Sequence, residues 1–253
     1  MTASAAIAAQ APSESSRHAL GIDVGGTKIH ALALAGRQVV AEEHIATEPG
    51  PEALLKSILG LSAKLAKRLR IPPDGFASVG IGIPGLVDPA TGRVRQAVNL
   101  DIGEWQLGAE LRKAFTCPIG VENDVKASAL GAATLLSGPK ANLAYLNVGT
   151  GMAMAAVLDG RLVRGTNNAA GEIGHLALFP RGAECVCGQR GCVETVSGGG
   201  PTQARLAANG LSIVELFTDP SKIARQEAEA ILSGIELAVR MAVAVYDPET
   251  IFL

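Results

Sequence analysis

The tightest constraint in this 253-residue chain is a run of thiols in its second half. From Gly171 to Glu194 it reads Gly-Glu-Ile-Gly-His, nine residues, then Cys-Val-Cys-Gly-Gln-Arg-Gly-Cys-Val-Glu. Three of the four cysteines, Cys185, Cys187 and Cys192, fall here, and His175 precedes the first by ten positions. Three thiolates and an imidazole are a full tetrahedral set for zinc. Gly188 and Gly191 let the backbone turn tightly enough for Cys187 and Cys192 to share one ion. A disulfide and a metal-free thiol loop are the competing readings. A chain without a secretion signal is expected to be reduced, which favours metal. The Cys-x-Cys spacing also speaks against dithiol redox catalysis, which uses Cys-x-x-Cys. Four protein ligands close the site to water, so the expected zinc is structural, and Glu172 and Glu194 bracket what it shapes.

Composition narrows the function classes. Lys and Arg number 22 against 24 Asp and Glu, so no basic excess points to nucleic acid or an anionic membrane. No apolar run approaches the roughly 20 residues of a membrane helix. Aromatics are only 3%, too few for base-stacking platforms. At 48% hydrophobic the chain can build one large domain or two lobes. A soluble cytoplasmic protein is expected, with residues 1–17, small and polar, as a disordered tail.

Ala19–Val24 reads as a buried strand entering the turn Gly25-Gly26-Thr27-Lys28, with strands at 29–34 and 39–46 after it. Such a turn offers backbone N–H groups, a hydroxyl and a lysine to a phosphate, although neither the P-loop nor the dinucleotide spacing is present. Asp23, an acid at the tip of an apolar strand, supplies the carboxylate that a metal–phosphate site needs. An amphipathic helix is expected over 51–70, strands at 77–83 and 93–98, a helix over 104–115, a strand at 119–121 and an Ala-rich helix over 125–136. Asp124, at a strand-to-helix junction, is either an N-cap or a carboxylate where open α/β sheets keep their chemistry. Strands at 142–148 and 152–158 flank Gly149-Thr150-Gly151 and repeat the earlier strand–turn–strand device, as two related lobes would.

Taken together, Asp23-Val-Gly-Gly-Thr-Lys28, Gly82-Ile-Pro-Gly-Leu-Val-Asp88, Glu122-Asn-Asp124, Gly149-Thr-Gly151, Gly171-Glu-Ile-Gly-His175 and the cysteine motif through Glu194 resemble the ROK family of repressors, open reading frames and kinases. The resemblance spans residues 19–253. It implies an α/β, actin-like (ribonuclease-H-like) ATPase fold of two lobes, 18–124 and 125–253, with ATP and sugar in the cleft. The implied activity is ATP-dependent phosphorylation of a hexose or N-acetylhexosamine, glucokinase-like, with Mg2+ at the phosphates and structural Zn2+ on His175, Cys185, Cys187 and Cys192. Asp124 would be the general base. Asn99, Asn123, Asp124, Glu172, His175 and Glu194 would hold the sugar. Asp23, Gly25, Gly26, Thr27, Lys28, Gly149, Thr150 and Gly151 would face ATP. Glucose, fructose, mannose, N-acetylglucosamine and N-acetylmannosamine all remain open, and a homodimer or tetramer is implied.

Two departures qualify the pattern. Ala153 and Ala155 stand where the family has glycines, and are expected to crowd the nucleotide. The sequence also stops at Leu253, before the segment that closes the family's adenosine pocket. The expectation is a truncated product that binds sugar and zinc and is weak as a kinase. The alternatives are a non-catalytic sugar-binding remnant and a sugar-sensing regulator. The regulator is disfavoured because only about eighteen residues precede the first strand, too few for a DNA-reading domain.

Overall fold

The structure is a computed structural model that describes residues 18–218 and 221–253. The expected tail, 1–17, lies outside the described residues. The chain divides into two compact units, meeting in sequence between Asp124 and Val125.

The first unit is built on a five-stranded sheet. β1 (His18–Val24), β2 (Lys28–Ala35) and β3 (Gln38–Ala46) form an antiparallel meander. β4 (Ser78–Ile83) and β8 (Ile119–Asn123) extend it in parallel with β1, giving the order β3-β2-β1-β4-β8. β5 (Leu86–Asp88), β6 (Arg93–Ala97) and β7 (Ile102–Trp105) make a second, antiparallel sheet. α1 (Pro51–Leu69) buries Leu54, Ile58, Leu61 and Leu65, a spacing that keeps one stripe facing the core. Pro51 opens that helix, where its fixed φ and missing N–H cost nothing, while Glu52 in the first turn and Lys67 and Arg68 in the last complement the helix dipole. The stripe joins a cluster with Leu20, Ile22, Ile29, Val79 and Ile81. α2 (Leu107–Ala114) completes the unit.

The expected helix over 104–115 is corrected at its start. Glu104 and Trp105 are strand, paired with Arg95 and Val94. Ile102 and Trp105 are buried while Gly103 and Glu104 face solvent, so packing against β6 overrides local helix propensity. The helix begins only at Leu107.

In the second unit, β9 (Leu143–Val148), β10 (Met152–Leu158), β11 (Arg161–Leu162) and β12 (Thr250–Phe252) form a sheet of order β11-β10-β9-β12. β9 and β10 are antiparallel, and β12 runs parallel to β9 at the edge. Strand alternation sends Leu143, Ala155 and Val157 to one face, where Val125, Ala129 and Ala133 meet them. Ala144, Leu146, Met152 and Met154 go to the other, against Val193, Ala238 and Ala242. The first layer comes from α3 (Asp124–Ala132), which passes into a wider turn over Ala133–Ser137 instead of running to Leu136 as α-helix. The opposite layer comes from α4 (Val193–Ser197) and α6 (Lys222–Tyr246), with α5 (Gly199–Ala208) between them in sequence. Arg205 ties the three together, donating to the Thr195 and Val196 carbonyls and pairing with Glu227 at 2.9 Å.

Ala153 and Ala155 do not crowd the glycine turn. Ala155 is fully buried and Ala153 packs beside it on the α3 face, so both methyls fill the core.

Candidate functional site

The parallel strands β1, β4 and β8 end at one edge of their sheet, where such sheets place ligands. At the end of β1, Asp23 lies opposite His30 on β2 and Gly82 on β4. Desolvation by the surrounding chain pushes its carboxyl above the ordinary value, against the opposing pull of His30 and Lys28. Gly25 to Lys28 follow as a tight turn: the Gly25 N–H donates to the Lys28 carbonyl at 2.9 Å. Thr47, just after β3, holds the turn, its hydroxyl donating to the Gly25 carbonyl at 2.7 Å and its N–H to that of Thr27 at 3.0 Å. Gly26 faces Asn99: a Cβ added to this glycine would lie 3.7 Å from the Cβ of Asn99. Asn99 is exposed on the short 3-10 turn Val98–Leu100, so the glycine turn and one expected sugar residue are neighbours.

At the end of β8, Glu122 and Asn123 are buried. The Asn123 N–H donates to Glu122 Oε1 at 3.0 Å. The Asn123 side-chain amide donates to the Gly85 carbonyl at 3.2 Å and to Asp124 Oδ1 at 3.0 Å. Gly85 has φ +99°, and a Cβ there would lie 2.6 Å from the Arg95 carbonyl, so only glycine lets the loop after β4 come this close. Asp124 is the first residue of α3, partly exposed, with its carboxylate oriented by Asn123. Glu122 stands in the Glu122-Asn-Asp124 motif without an expected role, and the structure makes it the acceptor that holds the Asn123 N–H. Its buried acid at a strand end was the available signal.

In the second unit, His175, Cys185, Cys187 and Cys192 converge, their ligand atoms all within 4.8 Å of one another. His175 Nδ1 lies 3.5 Å from Cys185 Sγ, and Cys187 Sγ lies 3.6 Å from Cys192 Sγ. Tetrahedral zinc bonds would put N and S about 3.6 Å apart and two sulfurs about 3.8 Å apart, so the donor set fits that ion. The thiols interact strongly. The backbone N–H of Gln189, then its side chain and the other thiols, lower Cys187 to about 6, whereas desolvation first and the neighbouring thiols next push Cys192 up to about 12. Gln189 also donates to the His175 carbonyl at 2.9 Å, linking the two halves of the loop. Its role was not anticipated. Glu172 begins the 3-10 turn Ile173–His175 and its carbonyl accepts the His175 N–H at 3.2 Å. Gly171 anchors this segment: its carbonyl accepts the Met154 N–H at 2.8 Å, and its φ of +97° and close approach to the Met154 carbonyl leave no room for a side chain.

Cys192 caps α4, which places Glu194 beside the Gly149-Thr150-Gly151 turn. Glu194 Oε2 accepts the Met152 N–H at 2.9 Å. The same turn lines a cavity of about 230 Å³ with Gly199, Gly200, Gln203 and Ile213. The first N–H groups of α5 are committed here, Gly199 to the Gly149 carbonyl and Gly200 to that of Thr150, each at 2.8 Å. A Cβ on Gly199 would lie 2.5 Å from the Gly149 carbonyl, so these glycines act as a thin wall. The structure thus brings together Asp23, Gly25–Lys28 and Asn99, with Asn123 and Asp124 at the same sheet edge. Within the second unit it groups Gly149–Gly151 and Glu194 with His175, Cys185, Cys187 and Cys192, which could hold a metal ion.

A match to the ROK family covers residues 19–253. This chain belongs to that family. It is 31% identical to the glucokinase of Halalkalibacterium halodurans over 242 residues, 92% of this chain and 73% of that protein. It is also 31% identical to the N-acetylmannosamine kinase of Vibrio cholerae serotype O1, over 87% of this chain and 76% of the relative. The xylose repressor of Caldicellulosiruptor bescii is 33% identical over 69% of this chain, which spans 45% of that longer protein. The crystal structure of a ROK hexokinase from Thermus thermophilus superposes with a TM-score of 0.77 at 26% identity, over 92% of this chain and 80% of the other. The chain shares the actin-like ATPase fold of its ROK kinase neighbours, and the four residues that could hold a metal lie in the part of the chain that matches the family. Among the described residues, no helix is long and apolar enough to cross a membrane.

Proposed function

We propose that this ROK protein is an ATP-dependent kinase of a hexose or N-acetylhexosamine. The observation that carries the reading is the carboxylate of Asp124 at the end of β8, oriented by the Asn123 amide. A sugar hydroxyl is a poor nucleophile, and Asp124 accepts its proton as the hydroxyl oxygen bonds to the γ-phosphorus and ADP leaves. Asn99, Asn123, Glu172, His175 and Glu194 hold the remaining hydroxyls. With Nδ1 facing the Cys185 thiol, that nitrogen would hold an ion and Nε2 of His175 would donate to one of them. Backbone N–H groups of the Gly25–Lys28 and Gly149–Gly151 turns, with Lys28, receive the phosphates. Asp23 would hold Mg2+, which would neutralise phosphate charge, and His175, Cys185, Cys187 and Cys192 would hold Zn2+, which would fix the shape of the loop.

Relatives named glucokinase and N-acetylmannosamine kinase support the sugar-kinase class. The repressor relative keeps a regulator in view, and a carboxylate poised for proton transfer favours the enzyme. We place the protein in the cytoplasm as a homo-oligomer. Replacing Asp124 by Ala tests the assignment: turnover should fall by at least about a hundredfold while calorimetric sugar binding persists. Near-normal turnover would end it.

A further inference from the structure

Glu194 is attached to more than the metal loop. It lies on a five-residue helix whose N-cap is Cys192, itself in the metal-ligating set. That helix start is pinned twice, by the Val193 N–H to the Leu176 carbonyl at 3.0 Å and by the Thr195 hydroxyl to the Cys192 carbonyl at 2.7 Å. From this fixed base the carboxylate reaches the end of the Gly149–Gly151 turn and accepts the N–H of Met152, 42 residues earlier in the chain, at 2.9 Å. The turn is shaped to admit it: a Cβ on Gly151 would occupy the place of Glu194 Oε2. Gly174 also brings its Cα side against Glu194, where a Cβ would lie 3.3 Å from the Glu194 Cβ. A carboxylate can accept on both oxygens at once, and here Oε2 is committed to the backbone, leaving Oε1 for a hydroxyl. The contact is also shorter than the turn-closing bond from the Gly149 N–H to the Gly151 carbonyl, 2.9 Å against 3.1 Å.

We propose that Glu194, besides its place at the sugar, is a positioning residue that holds the Gly149–Gly151 turn in the conformation that receives the nucleotide phosphates. The proposal rests on the kinase reading for the ligand and on the Glu194–Met152 contact for the link. One side chain then serves both substrates, and the metal loop sets the nucleotide turn through α4. Removing the carboxylate weakens nucleotide binding even when no sugar is present, which a residue serving the sugar alone would not do.

The test uses the full chain with two variants, Glu194→Ala and Glu194→Gln. The glutamine amide oxygen can still accept the Met152 N–H, but its NH2 replaces the acceptor at the sugar. Hydrogen exchange at the Met152 amide and calorimetric binding of a non-hydrolysable ATP analogue are read without sugar. For Glu194→Ala the expected results are exchange at least about tenfold faster and an analogue dissociation constant about tenfold higher. Glu194→Gln should restore both towards wild type while glucose binding stays weakened. Unchanged exchange in Glu194→Ala, or a glutamine variant no better than alanine, would overturn the proposal. If exchange follows the expected pattern but the wild-type chain binds no analogue, the kinase reading falls and the Glu194–Met152 link stands.

Discussion

The side-chain amide of Asn123 donates to Asp124 Oδ1 at 3.0 Å while also donating to the Gly85 carbonyl at 3.2 Å. One amide thus ties the proposed base to the loop that follows β4. A base must meet its proton within hydrogen-bond reach, and small displacements cost rate steeply. Asn123→Ala is therefore expected to lower kcat by about a hundredfold, read in a coupled ADP assay. Unaltered kcat would mean that Asp124 is positioned by other contacts.

The candidate metal site makes a stoichiometric prediction. Elemental analysis should find one zinc per chain, because His175, Cys185, Cys187 and Cys192 offer one ligand atom each at distances that suit tetrahedral coordination. Ion binding is coupled to folding of the loop, so chelation or Cys192→Ser should lower the melting temperature by about 5 °C or more in scanning calorimetry. A chelated protein that melts at the original temperature would deny zinc its structural role.

Thiol chemistry gives an independent check. In protein stripped of metal, Cys187 ionises at about 6, because the Gln189 N–H and the adjacent thiols favour its thiolate. Cys192 is pushed up to about 12, chiefly by desolvation. The thiolate is the nucleophile, so iodoacetamide at pH 7 should label Cys187 first and Cys192 last, as read by peptide mass spectrometry. Labelling of Cys187 should fall away below about pH 6, and equal rates at the two residues would contradict this ordering.

Much of this site was legible because its determinants are local. The metal loop lies within eighteen residues of sequence from His175 to Cys192, and the two glycine turns announce themselves between apolar strands. What was hidden depends on contacts between distant segments. Nothing local marks Glu194 as the acceptor for Met152, and nothing local says that Glu104 and Trp105 pair with β6 instead of starting a helix. The alanines at 153 and 155 depart from the local expectation for the same reason: strand alternation sends both methyls to the α3 face, where Val125 and Ala129 pack against them.

Asp23 carries a stability cost in its ionised form, because its carboxyl is desolvated. Its carboxyl is raised above 3.8 by desolvation, so the folded chain holds that proton more tightly than the unfolded chain. Stability from this group therefore falls as pH rises from the unfolded value through the folded one. Asp23→Asn should melt higher than wild type at pH 7, with the advantage vanishing below about pH 3.8, while magnesium-dependent turnover collapses. A variant that melts lower at pH 7 would show the ionised carboxylate to be stabilising.

The central claim is sugar phosphorylation, and ADP release from magnesium-ATP by this 253-residue chain tests it most directly. Glucose, fructose, mannose, N-acetylglucosamine and N-acetylmannosamine would each be offered to zinc-loaded, folded protein. The account predicts ADP release that depends on at least one of these sugars and disappears in Asp124→Ala. Sugar binding without any sugar-dependent ADP, in protein shown to be folded and metal-loaded, would contradict it.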